Sequence, residues 1–184
     1  MKRTILGVVF LVSANLASAA TPFQFSAPNH QSPKDPNVRG IRFSIFHGRN
    51  QSVRGLDLGL LSLSETSHLS GASLVLGVCK VTREMSGGAA ISLINVHTGS
   101  DRGLNAAFMN RINIAKHAVD VGFVNIADAT TLVDVGGLNV SGRSKVQVGF
   151  INVTHRIEGV QIGFLNVAEN GFLPVFPIFN FPKH

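Results

Sequence analysis

Five apolar blocks of about nine residues follow one another in the last third of the chain. They read VDVGFVNIA, VDVGGLNVS, VQVGFINVT, VQIGFLNVA and PVFPIFNFP. Each block has a Gly or Pro at its centre, and the centres recur in steps of 14, 13, 14 and 14 residues at Gly122, Gly136, Gly149, Gly163 and Pro177. Self-similarity at so short a period predicts a repeat architecture.

Weaker copies of the block extend the repeat toward the N-terminus, to about ten units between Ile41 and Phe181. The blocks consist of Val, Ile, Leu and Phe, with Gly, Asn and Ser at their boundaries, which is typical of β-strands. The sequence therefore predicts an all-β fold. The central positions of the weaker units follow at steps of 15, 18, 15 and 15 residues, at Ser44, Gly59, Gly77, Ser92 and Ala107.

The length of the connectors favours one way of pairing these strands. A straight strand of nine residues spans roughly 30 Å, and a connector of five residues returns only about 15–18 Å. Neighbouring strands are then antiparallel, and a meander of about ten strands avoids open edges by closing into a small up-and-down barrel. The alternative is a β-solenoid with one coil per repeat of about 14 residues, bent at each central Gly. The pairing of Gly149 with Gly163 distinguishes the two.

Both sides of each predicted strand are largely apolar, so the sheet needs cover on both faces. In a barrel, one face is the interior and the other can contact lipid, and nine or ten residues suffice for a tilted strand to cross a bilayer. The chain has no Trp and no Tyr, however, and interfacial aromatic girdles would have to come from Phe alone. Pro174 and Pro177 lack the backbone donor of a ladder, which predicts an edge or closing strand.

The N-terminus predicts export. Lys2 and Arg3 precede a short apolar run, and an A-x-A cleavage pattern ends at Ala19, which together are typical of a signal peptide over residues 1–19. Residues 20–38 form a Pro-rich leader with a short strand expected at 23–26, and residues 39–184 form the β-repeat domain. We expect an outer-membrane or cell-surface location, with the periplasm as the alternative.

Charge and cysteine content exclude several classes of protein. The formal charge is +6, and it falls to +4 when the two cations of the signal are removed. The remaining cations form no run, which disfavours nucleic-acid binding. Cys79 is the only cysteine, so no internal disulfide can form, and its apolar surroundings in LVLGVCKV predict an inert, packed thiol.

Two polar columns are the candidate sites for chemistry. In the last seven units an Asn follows the central position by three residues, and these amides could bind a ligand or could satisfy the backbone beside a turn, the reading we favour. The Asn residues are Asn95, Asn110, Asn125, Asn139, Asn152, Asn166 and Asn180. The second column precedes the central Gly by two residues and is expected to face solvent or a wet lumen; it consists of Asp57, Asp120, Asp134, Gln147 and Gln161. No motif for catalysis, for a cofactor or for a metal accompanies either column.

The segments GVQIGFLNVAENGFLPVFPIFNF and RGLDLGLLSLS resemble a family of small bacterial exported proteins described as surface-repeat proteins, which carry tandem GVQ[IL]GxxNxA units and end in a Pro- and Phe-rich strand. The resemblance covers most of residues 39–181 and implies a bacterial envelope location without a known activity. We therefore expect a non-enzymatic structural protein of the outer membrane or cell surface, with no cofactor. The alternative is a soluble exported β-solenoid that acts as an adhesion or binding module. Envelope components are the expected partners.

Overall fold

The computed structural model describes residues 20–183, apart from the side chain of Lys116, so the predicted signal peptide lies outside the described residues. Residues 20–183 form four strands and no helix: β1 (Thr21–Ala27), β2 (His30–Ser32), β3 (Asn37–Ala168) and β4 (Val175–Asn180). The all-β prediction is confirmed. No helix in this part of the chain is long and apolar enough to cross a membrane.

Strand β3 runs through 132 residues and winds into stacked parallel coils. The central glycines show the stacking directly. A Cβ added to Gly163 would collide with the carbonyl oxygen of Gly149, one added to Gly149 would meet Gly136, and one added to Gly136 would meet Gly122. Equivalent positions therefore lie above one another, and the fold is the β-solenoid. The prediction of an antiparallel meander closed into a barrel is wrong.

The reason for the error is that the apolar blocks are not straight strands and the polar connectors are not loops. Both belong to one strand that turns within every repeat. The first corners use a second column of glycines with positive φ, among them Gly40, Gly55 and Gly71, at φ +152°, +130° and +126°. A Cβ on Gly55 or on Gly71 would also collide with the carbonyl of the glycine one coil below. Gly is required here both for its φ and for the close approach of two backbones.

The interior of the coil stack is mainly polar. Among the described residues, 29 buried residues are polar or charged and 14 are hydrophobic. The largest apolar cluster lies in the early coils and includes Val53, Leu69, Val81 and Met85, and a smaller one contains Ile112 and its alanine neighbours. Since apolar burial is limited, the regular coils depend on hydrogen bonds between layers, and the buried polar groups need partners.

Short strands cover both ends of the stack. At the start, β1 pairs in parallel with β3 through Phe25↔Phe43, and β2 pairs antiparallel with β1. At the other end, β4 pairs antiparallel with residues 161–167 of the last coil. The strand predicted at 23–26 lies within β1, and the predicted edge strand is β4, which contains Pro177 and follows directly after Pro174. These strands pair with part of the first and of the last coil, where caps are found in repeat proteins.

Removal of residues 172–183 is expected to cause end-to-end association, because it uncovers the backbone groups of the last coil. Size-exclusion chromatography with light scattering should show oligomers or aggregates that grow with protein concentration. Removal of residues 183–184 alone leaves β4 complete and should give the size of the intact chain. A monodisperse monomer of the longer deletion would contradict the capping role of β4.

Candidate functional site: an internal amide ladder and an apolar outer face

Six of the seven predicted Asn residues form one continuous ladder inside the solenoid. The Nδ2 atom of each donates to the Oδ1 atom of the Asn in the following coil, over distances of 2.7–2.9 Å. All six are almost completely buried, with at most 2% exposure. The ladder runs through Asn95, Asn110, Asn125, Asn139, Asn152 and Asn166. Because no amide reaches the surface, the column binds the coils to one another and does not form a ligand site.

The glycine column gives this ladder its space. The Nδ2 atom of Asn139 also donates to the carbonyl of Val148, the residue before the next central Gly, at 3.1 Å. A Cβ on Gly149 would lie 2.5 Å from that Nδ2 atom and 3.1 Å from the Oδ1 atom of Asn152. Gly122, Gly136 and Gly163 have the same surroundings in their own coils. The Gly and Asn columns therefore act together, since the missing Cβ of each Gly leaves room for an Asn amide. In the sequence they are two separate patterns.

Two predicted repeat positions depart from this arrangement. Asn180 belongs to the antiparallel strand β4, and its Nδ2 atom donates to the carbonyl of Leu173 at 3.1 Å, so it lies off the ladder. In the early coils, a Cβ on Gly77 would meet the backbone of Ser62, whereas one on Gly59 would meet the side chain of Val75. Ser62 therefore lies beneath Gly77, in place of the Gly59 position that the 18-residue step suggested.

The second polar column is also internal, contrary to the expectation that it faces solvent or a lumen. Gln161 donates to Gln147 at 2.8 Å, and Gln147 donates to the Oδ2 atom of Asp134 at 3.2 Å. Asn105 donates to the Oδ1 atom of Asp120 at 2.7 Å. The sequence missed Asn105 because the wrong pairing hid which residues share a layer. Asn105 follows the corner glycine Gly103 by two residues, as Asp57 follows Gly55. Once the stacking of these glycines is known, this spacing identifies Asn105 as an inward residue.

A buried ion pair anchors the first coils. The guanidinium of Arg42 binds the carboxylate of Asp57 through two hydrogen bonds of 2.8 and 2.7 Å, and it also donates to Asn50. Ser64 and Ser73 donate to the same carboxylate. Arg42 and Asp57 are at most 1% exposed, so both charges are removed from water and need all of these partners.

One constellation of reactive residue types appears only in the structure. His97 Nδ1 contacts the carboxylate of Asp101, and the thiol of Cys79 is a further polar neighbour of the imidazole. A Cys, a His and an Asp in contact resemble a nucleophilic triad. All three are at most 2% exposed, however, and lie inside the coil stack. Among residues 20–183, no group of three or more His, Cys, Asp and Glu residues is placed to hold a metal ion.

Burial changes the protonation of this interior. It raises the pKa of Asp120 to about 7 despite the hydrogen bond from Asn105, and it raises the pKa of Asp134 to about 6. Burial by itself lowers the pKa of His97, but the hydrogen bond with Asp101, the neighbouring thiol of Cys79 and the negative charge of Asp101 outweigh it and raise this pKa to about 9. The interior therefore favours a protonated imidazole and makes both carboxyls bind protons more tightly than in water.

The outer surface of the same strands is apolar. In most coils the residues directly before and after the central position point outward. None of these residues is charged. We call the resulting surface the apolar face. Its regular part consists of Ile91, Leu93, Phe108, Val121, Phe123, Val135, Val148, Phe150, Ile162 and Phe164, and it continues through Ile41, Phe46, Leu60, Leu61, Leu74 and Leu76.

Phenylalanine rings stack along the apolar face. The ring centroids of Phe108 and Phe123 are 5.4 Å apart, and those of Phe150 and Phe164 are 5.1 Å apart, with interplanar angles of 12° and 5°. Gly137 interrupts the column and lies against the ring of Phe123. Phe123 and Phe150 remain 61% exposed and Phe164 70% exposed. The stacking orders the rings but leaves their outer faces in contact with solvent.

Comparisons of the chain with protein-family models, with curated proteins and with solved structures found no match. The resemblance to exported surface-repeat proteins therefore rests on the quoted motifs alone. A function has to be inferred from the geometry of the solenoid, in which the polar columns are closed and the apolar face is open.

Substitution of Asn152 by Ala is expected to lower the free energy of unfolding by about 3 kcal/mol, because it leaves buried groups of Asn139, Ile162 and Asn166 without a partner. Urea denaturation followed by circular dichroism measures the change. Asn113→Ala is the matched control, since its single bond to the Thr98 carbonyl lies at the surface, and it should cost less than about 0.5 kcal/mol. Equal losses would show that the ladder has no special weight.

The solenoid is expected to be more stable at pH 5 than at pH 9. The stability that Asp120 and Asp134 contribute is complete below their ordinary pKa near 3.8 and is lost as the pH rises through about 7 and about 6. For His97 it is complete below 6.5 and is lost through about 9. Denaturant midpoints measured at each pH test this.

The double variant Asp120→Asn and Asp134→Asn serves as the control for this pH dependence. It keeps an acceptor oxygen at each position but removes the titration, so its midpoint should change less between pH 5 and pH 7 than that of the unmodified chain. An identical profile for both proteins would contradict the assignment to these carboxyls.

Proposed function

We propose that the chain is a non-enzymatic, exported binding module of the bacterial envelope, in which the β-solenoid presents the apolar face to a partner. The observation that carries this proposal is the inversion of polarity between the two sides of the strand. Asp120 and Asn125 point inward, while Val121 and Phe123 point outward. A protein that buries amides and exposes stacked phenylalanines gains nothing from this arrangement in water, which points to a partner that covers the rings.

The alternatives have less support in the geometry. The Asn column cannot act as a row of ligand-binding amides because each member is buried and bonded to its neighbours. Catalysis by Cys79, His97 and Asp101 would require the coils to open. Export and an envelope location are supported by the signal-like N-terminus and by the motif resemblance, and they form part of the proposal.

The apolar face can be tested by fractionation of bacterial cells that express the full chain. We expect the unmodified protein to be retained with the envelope after osmotic shock. The double variant Phe123→Gln and Phe150→Gln should move to the soluble fraction, because it removes two of the most exposed rings and adds no charge. The control is the double variant His155→Gln and Arg156→Gln, which changes two exposed residues in the polar connector between two apolar blocks. It should leave retention unchanged.

Circular dichroism of both double variants has to show the same strand content, so that loss of retention is not loss of folding. Retention of the Phe variant at the level of the unmodified chain would contradict a binding role for the apolar face. Release of the unmodified chain into the soluble fraction would contradict an envelope partner altogether.

A further inference from the structure

The apolar face is long and narrow. From Ile41 to Ile162 the face extends over about eight coil spacings of roughly 4.8 Å, or about 35–40 Å, and four residues of extended chain make it about 13 Å wide. A flat, extended surface can cover such a strip along its whole length. A second copy of the chain is the alternative occupant, and light scattering distinguishes the two below.

Positive charge borders the apolar face along one rim. Arg39, Arg54 and Arg102 each precede a glycine of the first corner column, in which Gly55 lies on Gly40 and Gly103 lies on Gly88. The three arginines are exposed, and none of them forms an ion pair within residues 20–183. Ser70 and Gly87 occupy the same position in the two coils between Arg54 and Arg102, so the three guanidinium groups border the N-terminal half of the apolar face. We call these three residues the arginine column.

The opposite rim is also cationic at the N-terminal end of the stack. Phe46 of the apolar face is followed directly by His47 and Arg49, which line a cavity of about 410 Å³ together with His30 and Lys34. No acidic side chain lines this cavity. Glu65 lies 3.8 Å from Arg49 and 2.8 Å from Lys80, so this rim carries a mixed cluster with an excess of positive charge. An apolar strip bordered by cationic groups at its N-terminal end matches the boundary between acyl chains and anionic headgroups.

We propose that the occupant of the apolar face is the surface of an anionic lipid membrane. The phenylalanine rings lie at the level of the upper acyl chains, and the arginine column binds phosphate groups of the headgroups. The solenoid lies on the membrane and does not span it. This inference rests on the proposed function, since it names the partner of the same face.

Vesicle flotation tests the inference with the chain purified from the exporting host. The unmodified protein should float with vesicles that contain phosphatidylglycerol and bind at least tenfold more weakly to vesicles of phosphatidylcholine alone. Binding to the anionic vesicles should weaken in 0.5 M salt because the headgroup attraction is screened. Phe123→Gln with Phe150→Gln should abolish flotation.

A triple substitution separates the arginine column from general charge. Arg39→Gln, Arg54→Gln and Arg102→Gln together should weaken binding on the order of 100-fold, because each cation near an anionic surface contributes about fivefold. The matched control is Arg83→Gln, Arg143→Gln and Arg156→Gln, which removes the same charge from the polar connectors between apolar blocks. It should retain binding within about threefold. Equal effects of the two triple variants would overturn the proposal.

The remaining outcomes distinguish this inference from the proposed function. If the apolar face retains the chain in the envelope but the chain does not float with either type of vesicle, the partner is a protein or glycan, and the lipid proposal is wrong while the binding module stands. A stable dimer in light scattering that the Phe variant loses would identify a second copy as the occupant and would likewise overturn it.

Discussion

The hydrogen bond between the side-chain amides of successive coils is the interaction on which the rest of the structure depends. An amide of this kind has one acceptor and two donor protons, and the ladder uses all of them: Oδ1 accepts from one neighbour, and Nδ2 donates both to the next Asn and to a carbonyl of that coil. This pattern requires equivalent residues to stack in register. In the last four coils of the ladder the central position is a Gly, and a Cβ there would meet the amide. Ser92 and Ala107 take this position in the first two coils.

A polar ladder in the interior determines the chemistry of the exterior. Residues such as Asp120 and Asn125 occupy the inward positions of the strand segments that carry the apolar face. The Val and Phe residues of these segments therefore have to point outward. The usual arrangement of a globular protein is thereby reversed on this side of the molecule. The stability of the coils comes from bonded amides and backbone ladders, and the apolar side chains are left available for a partner. Structure and proposed function follow from the same inversion.

Buried ionisable groups occupy the same interior, and burial changes their pKa values. The contact between His97 and Asp101 places an imidazole and a carboxylate where water does not enter, beside a thiol. In an open cleft this set would suggest catalysis, but all three side chains are buried inside the coil stack. The raised pKa values of Asp120 and Asp134 have the same origin, since a column of carboxyls in a confined interior is more stable when it retains protons.

The sequence by itself determined the fold class, the length of the repeat and the geometric role of Gly and Asn, because β-branched and aromatic blocks and a fixed period are local properties. It also indicated an edge strand from Pro174 and Pro177. It did not determine the pairing of strands, since an apolar block and its polar connector belong to one strand that turns within the repeat, and the position of that turn depends on the coil beneath it. The inward direction of Asp120 and the meeting of Cys79 with His97 were likewise decided only by the tertiary structure, because residues 13 to 18 positions apart become neighbours only when coils stack.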